Sequence, residues 1–222
     1  MKLTIFAATG GIGRQILEQA VAAGHDVTAV VRDPSRLPST TARVLTADLD
    51  APDQNSLITA VAGADAVLSA LGARTKSDEG IAARGTQAII DAMRAAGTGR
   101  LVVVSAAPIG TVPSPDNPNP PKYDDGDGFF MRHLFSGFAR TMFKAQYADL
   151  ARMEDVVRAS GLDWTIARPP KLSNTPLTAR YRTALDKNIV GGWSIGRADV
   201  AHLMLALATD GSTVRHVVGA AA

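Results

Sequence analysis

The order in which strand-like and helix-like runs alternate constrains this chain more than any other feature. Residues 2–7 form a short apolar run that stops at Thr9-Gly10-Gly11-Ile12-Gly13, and residues 14–23 then carry apolar side chains at helical spacing. Gly24 stops that helix, and the β-branched run 26–31 ends at Arg32-Asp33-Pro34. The pattern recurs as strand 43–46, helix 54–62, strand 66–70, helix 80–96 and strand 101–105. Successive strands joined through helices are parallel, so the pattern predicts an α/β chain with helices on both faces of one sheet. Leu101-Val102-Val103-Val104 and Val67-Leu68 are continuously apolar, as strands covered on both sides are.

Beyond Ser105 the composition changes. Six prolines between 108 and 121, followed by Asp124-Asp125-Gly126-Asp127-Gly128, predict a long irregular loop over 108–128, either a linker or a lid, mobile unless a ligand or partner orders it. Residues 129–143, with Arg132 and Arg140 among aromatic and aliphatic side chains, read as an amphipathic helix. Helical spacing then runs through Tyr147, Leu150, Met153, Val156 and Val157, with Glu154 and Arg158 paired four apart, until Gly161. A strand at 164–168 stops at Pro169-Pro170; a polar segment holding Tyr181, a helix at 199–208 and a final strand at 214–218 complete the chain. The expected architecture is a Rossmann-like doubly wound parallel sheet forming a single domain over 1–222, with a small C-terminal substrate-side region at about 169–222.

Composition narrows the classes. With no cysteine among 222 residues, disulfide scaffolds, thiolate metal sites and cysteine nucleophiles are excluded, and a reducing, cytoplasmic setting is expected. Lys plus Arg number 23 against 21 Asp plus Glu, scattered along the chain, so neither nucleic acid nor a membrane surface is an expected partner. No apolar run reaches the roughly 18 residues of a membrane span, and the opening residues lack a signal-peptide pattern. His25, His133, His202 and His216 show no metal-ligand spacing, so no metal is expected. A monomer or a small homo-oligomer is expected.

The first turn carries the most chemistry. Glycines between a strand and a helix let the backbone turn tightly and approach a pyrophosphate, while the helix N-terminus offers unpaired amides. That makes Thr9, Gly10, Gly11, Ile12 and Gly13 candidate dinucleotide contacts. The spacing departs from G-x-G-x-x-G, because Ala7 stands where a third glycine would fall, three before Gly10.

This turn resembles the A-T-G-x-x-G motif of atypical short-chain dehydrogenase/reductases, in particular the NAD(P)H-binding group that includes NmrA-like proteins and biliverdin-IXβ/flavin reductases. The resemblance extends in order through Val31-Arg32-Asp33, Gly63-Ala64-Asp65-Ala66-Val67, Leu71-Gly72, Val104-Ser105-Ala106, Arg152-Met153-Glu154, Gly161-Leu162-Asp163, Arg168-Pro169-Pro170 and Pro176-Leu177-Thr178. It is weakest between 108 and 144. It implies that Asp48 and Leu49 border an adenine, and that Leu71, Gly72 and Ser105 approach the pyrophosphate, nicotinamide ribose or ring.

The residue ending the second strand lies beside the adenosine ribose. A carboxylate there accepts from a 2′-hydroxyl, whereas a guanidinium pairs with a 2′-phosphate. Arg32, with Arg36 four residues on, favours NADP(H), with NAD(H) possible because Asp33 could serve as a ribose acceptor.

The Tyr-x-x-x-Lys pair of typical short-chain reductases is absent: Asp127, Ala151 and Leu185 stand four residues beyond Tyr123, Tyr147 and Tyr181. This directs attention to small-molecule conjugated acceptors such as flavins, quinones or tetrapyrroles, which take hydride while solvent supplies the proton. Candidate catalytic groups are Ser105 at a strand's carboxyl end, Lys171 after Pro169-Pro170, and Tyr147 with Lys144 three residues before it. An NADPH-dependent reductase is therefore expected, against the alternative of a non-catalytic NmrA-like sensor that binds nucleotide and reports it to a partner.

Overall fold

Strand β1 (Lys2–Phe6) runs parallel between β2 (Asp26–Val31) and β4 (Ala66–Ser69), in a register that places Phe6 opposite both Val30 and Ser69. The carboxyl ends of three strands are thereby flush. The computed structural model describes residues 1–73, 78–124, 126 and 143–222. The helix expected at 129–143 lies, apart from Phe143, outside the described residues.

β3 (Arg43–Thr46), β5 (Arg100–Val104), β6 (Asp163–Arg168), β8 (Arg182–Leu185) and β10 (His216–Ala221) complete an eight-stranded sheet of order β3-β2-β1-β4-β5-β6-β10-β8. All neighbours are parallel except β8, which runs antiparallel along β10. Because the chain winds outward from β1 in both directions, the sheet has a switch point between β1 and β4, where a doubly wound fold opens a crevice.

Alternation along β1 assigns the two faces. Leu3 and Ile5 join α1 (Gly11–Ala22) and α5 (Arg197–Thr209) in one buried cluster. Phe6 joins α2 (Gln54–Val61), α3 (Ile81–Ala96) and α4 (Lys144–Arg158) in the other. Between them Thr4 is fully buried, and its hydroxyl donates to the Ala60 carbonyl at 2.7 Å, so its one polar group is satisfied.

Helix ends follow their sequence signals. α3 stops at Gly97, which takes φ 72°, while the amide of Thr98 returns to the Met93 carbonyl at 2.9 Å. Its start has no local side-chain cap. Asp149 of α4 supplies one from across the interface, accepting from the amides of Ala82 and Ala83 at 3.0 Å each. A buried carboxylate thus anchors the first turn of α3.

The structure departs from the sequence expectations in three places. α1 begins at Gly11 rather than at 14, because the glycine turn itself enters the helix. The segment after Pro170 contains β7 (Lys171–Ser173) and β9 (Ser194–Gly196), which pair in parallel as a separate ribbon, as well as β8. Three- and four-residue strands are too short to carry a readable period. The last strand is 216–221 rather than 214–218, since the Asp210 carboxylate accepts from the Ser212 amide and winds 211–213 into a 3-10 turn. The loop after β5 opens with a 3-10 turn (Ala107–Thr111). Its described part is tethered: Asp155 of α4 accepts from the Ser114 hydroxyl at 3.0 Å and the Asp116 amide at 3.2 Å.

Candidate functional site

The turn from β1 into α1 is tight at two residues, one through its backbone angle and one through close approach. Ala7 takes φ 58°, in the left-handed region, and its carbonyl accepts from the Gly10 amide at 2.7 Å. A Cβ on Gly13 would lie 2.2 Å from that same carbonyl oxygen, so only glycine allows α1 to descend onto the turn. Gly10 caps α1 without a side chain, and the first turn holds no acidic residue. The amides of Gly11, Ile12 and Gly13 have no intrahelical acceptors by construction, leaving a concentration of partial positive charge at the crevice.

An open cleft extends from this turn across the carboxyl ends of β1, β2 and β4. It brings together Thr9, Gly10, Arg32, Arg36, Asp48, Leu49, Leu71 and Gly72. Gly11 and Gly13 sit in the first helical turn beside it, and the Ile12 side chain is buried in the core beneath. Asp33 also faces the cleft, but its Oδ1 accepts from the amide of Ser35 at 3.0 Å and its hydroxyl at 2.6 Å. Those Ser35 hydrogen bonds hold its carboxyl below the usual range, and they wind Pro34–Arg36 into the turn that carries Arg36 to the cleft.

Two features were not legible in sequence. Asp78 lines the cleft and stands 3.5 Å from Arg32, bridging its two walls. Gly85 lies inside α3, where a Cβ would come within 3.1 Å of Leu71 and 3.3 Å of Leu49. The missing side chain lets both leucines reach the cleft wall.

The three candidate catalytic side chains lie elsewhere. Ser105 follows directly after β5 and is 7% exposed; its hydroxyl donates to Oε1 of Glu154 at 2.6 Å. Glu154, fully buried on α4, also accepts from Nε and Nη2 along one edge of the Arg168 guanidinium and from Arg158 at 2.8 Å. Burial alone would raise its carboxyl, yet the hydrogen bond and charge of Arg168, then Arg158 and Ser105, hold it below the usual range. Arg168 reaches Asp124 at 3.5 Å, and Asp124 also accepts from the Asn188 amide at 3.3 Å, tying the loop to the C-terminal region. Tyr147 is half-buried on α4 with its ring 5.9 Å from Phe143, and burial pushes its phenol up. Lys171 is exposed at the start of β7. None of the three lines the cleft.

Comparison with known proteins follows the same contour. The model of a family described as NAD(P)H-binding matches residues 7–211. A 3-diazoavenalumate denitrifying reductase from a Streptomyces species is 32% identical over 184 residues, covering 76% of this chain and 55% of that protein. The oxidoreductase ylbE of Lactococcus lactis superposes with a TM-score of 0.80 at 18% identity, covering all of this chain and 90% of that one. An anaerobillin reductase of Escherichia coli O157:H7, ChuY, superposes with a TM-score of 0.75 at 21% identity, covering 99% and 97%. Among the described residues, no helix is long and apolar enough to cross a membrane.

Proposed function

From the premise that this chain belongs to the NAD(P)H-binding family, we propose that it is an NADPH-dependent reductase delivering hydride to a flavin, quinone or other conjugated acceptor. The observation that carries the cofactor assignment is the cleft itself, which joins a glycine turn with uncapped helix amides to Arg32 and Arg36. These donor types fit a dinucleotide: backbone amides for the diphosphate, guanidinium groups for a 2′-phosphate, and Leu49 and Leu71 for an adenine face. Engagement of Asp33 with Ser35 weighs against its use as a ribose acceptor and so favours NADP(H) over NAD(H).

Bound in this cleft, the nicotinamide would supply the hydride. The chain's part is orientation and exclusion of water at the strand ends, which is sufficient for acceptors that delocalise the incoming charge. The absent tyrosine-lysine pair supports that acceptor class, as do the names of the Streptomyces and E. coli reductases. Ser105 we assign to positioning rather than proton transfer, since its proton is committed to Glu154.

Steady-state oxidation of NADPH, followed by absorbance with a flavin and a small quinone in separate assays, tests the reading. Saturable turnover above the no-enzyme rate is expected with at least one. A sensor role is the second reading, favoured by one observation: none of the three candidate catalytic side chains lines the cleft. It predicts nucleotide binding without turnover and similar affinity for oxidised and reduced forms.

A further inference from the structure

The first turn of α1 has a neighbour outside the cleft. A Cβ on Gly11 would lie 2.9 Å from both Cδ and Nε of Arg197, the first residue of α5, so the absent side chain lets the arginine lie across the turn. One Nη donates to Asn174 Oδ1 at 2.7 Å. Among the described residues no carboxylate reaches this guanidinium within 4.0 Å, as is also true of Arg43, Arg152 and Arg180, but none of those lies across a helix N-terminus.

The cation is held in place. Gln19 of α1 donates to the Ala198 carbonyl at 2.9 Å, fastening the start of α5 to α1. Buried Asp199 accepts from the amides of Thr178 and Ala179 at 2.9 and 2.8 Å and from the Thr178 hydroxyl at 2.9 Å, fixing the strap that carries Asn174. Thr175 Oγ1 lies 2.6 Å from where a Cβ on Gly196 would be, so the strap and the start of α5 are in direct contact.

A guanidinium held across amides that already carry partial positive charge concentrates positive potential at one place, where an anion could meet both. We infer that Arg197 binds the diphosphate of the dinucleotide, as a second cationic contact separate from the 2′-phosphate end at Arg32. This inference rests on the dinucleotide reading of the cleft. Binding would also connect the cofactor through Asn174 to the strap at 174–179.

The test compares NADPH with adenosine 2′-phosphate, which keeps the adenine end and lacks a diphosphate. Arg197→Met retains a stem over Gly11 and removes the charge; Arg197→Lys retains the charge. For Arg197→Met, NADPH affinity is expected to fall about tenfold while adenosine 2′-phosphate affinity stays within about twofold, with Arg197→Lys recovering most of the loss. NADPH affinity unchanged in Arg197→Met overturns the inference and leaves the cleft reading standing. Equal weakening of both ligands, with a lowered melting temperature, assigns Arg197 to packing and also overturns it. If the wild-type protein binds neither ligand, the cleft reading falls, and this inference with it.

Discussion

The hydroxyl of Ser105 points at Glu154, 2.6 Å away, and not into the cleft at the strand ends. The strand position that invites a catalytic reading is occupied by a group locked into a buried ion cluster. That cluster joins β5, α4 and β6 and, through Asp124, the end of the loop.

Removing one partner from the cluster should therefore be costly. Glu154→Gln leaves Arg168 buried with Asp124, at 3.5 Å, as its remaining ion-pair partner among the described residues, and is expected to lower stability by about 3 kcal/mol. Adding Arg168→Met removes the buried cation but leaves Asp124 without it, so only part of that loss should be recovered. Chemical denaturation midpoints of the single and double variants decide the matter.

The same carboxylate fixes a pH dependence. Its folded value lies below its ordinary value of 4.5, so its contribution is fully present above that pH and is lost as the pH falls through the lower folded value. Stability should be nearly level from about pH 7 to 5 and decline below about 4.5, with a shallower decline in Glu154→Gln. Thermal melts across that range read both slopes.

Cofactor preference depends on Arg32, which is shared with Asp78 at 3.5 Å. Arg32→Ala should weaken NADPH binding by about tenfold or more and NADH binding by less than about twofold. Asp78→Asn releases the guanidinium and removes a negative charge beside it, so it should shift preference toward NADPH by about threefold. Equilibrium titrations with both nucleotides measure the ratio.

Ala7 and Gly13 show how much of this site the sequence carries. The strand, turn and helix were legible because apolar period and glycines change together within residues 2–23; Arg32 and Arg36 follow from the end of the second strand, whereas Asp48 and Leu71 were implied by the family resemblance. Asp78 and Gly85 were not legible, because each reaches the site by packing between elements distant in sequence, and the approach of Arg197 to Gly11 was hidden for the same reason. β7, β8 and β9 escaped for a different reason: strands this short derive their pairing from neighbours rather than from their own pattern.

The departure at Ala7 has a measurable consequence. A Cβ at φ 58° is unfavourable, so Ala7→Gly is expected to raise stability by about 0.5–1 kcal/mol. Gly13→Ala pushes a methyl group into the Ala7 carbonyl and should cost about 2–3 kcal/mol. Opposite shifts in melting temperature are the expected result.

Tyr147 is the remaining candidate acid. Its phenol sits on α4, outside the cleft lining, and is raised by burial, so we expect it to play no part in proton transfer. Tyr147→Phe should change kcat by less than about twofold, well short of the 10²–10⁴-fold expected for loss of a general acid.

The central claim is that the cleft between β1, β2 and β4 holds NADPH. Titration of the purified protein with NADPH and with NADH, followed by tryptophan fluorescence, tests it most directly. The account predicts saturable binding of both, with NADPH tighter by about tenfold. Absence of saturable binding by either nucleotide at millimolar concentration would contradict it.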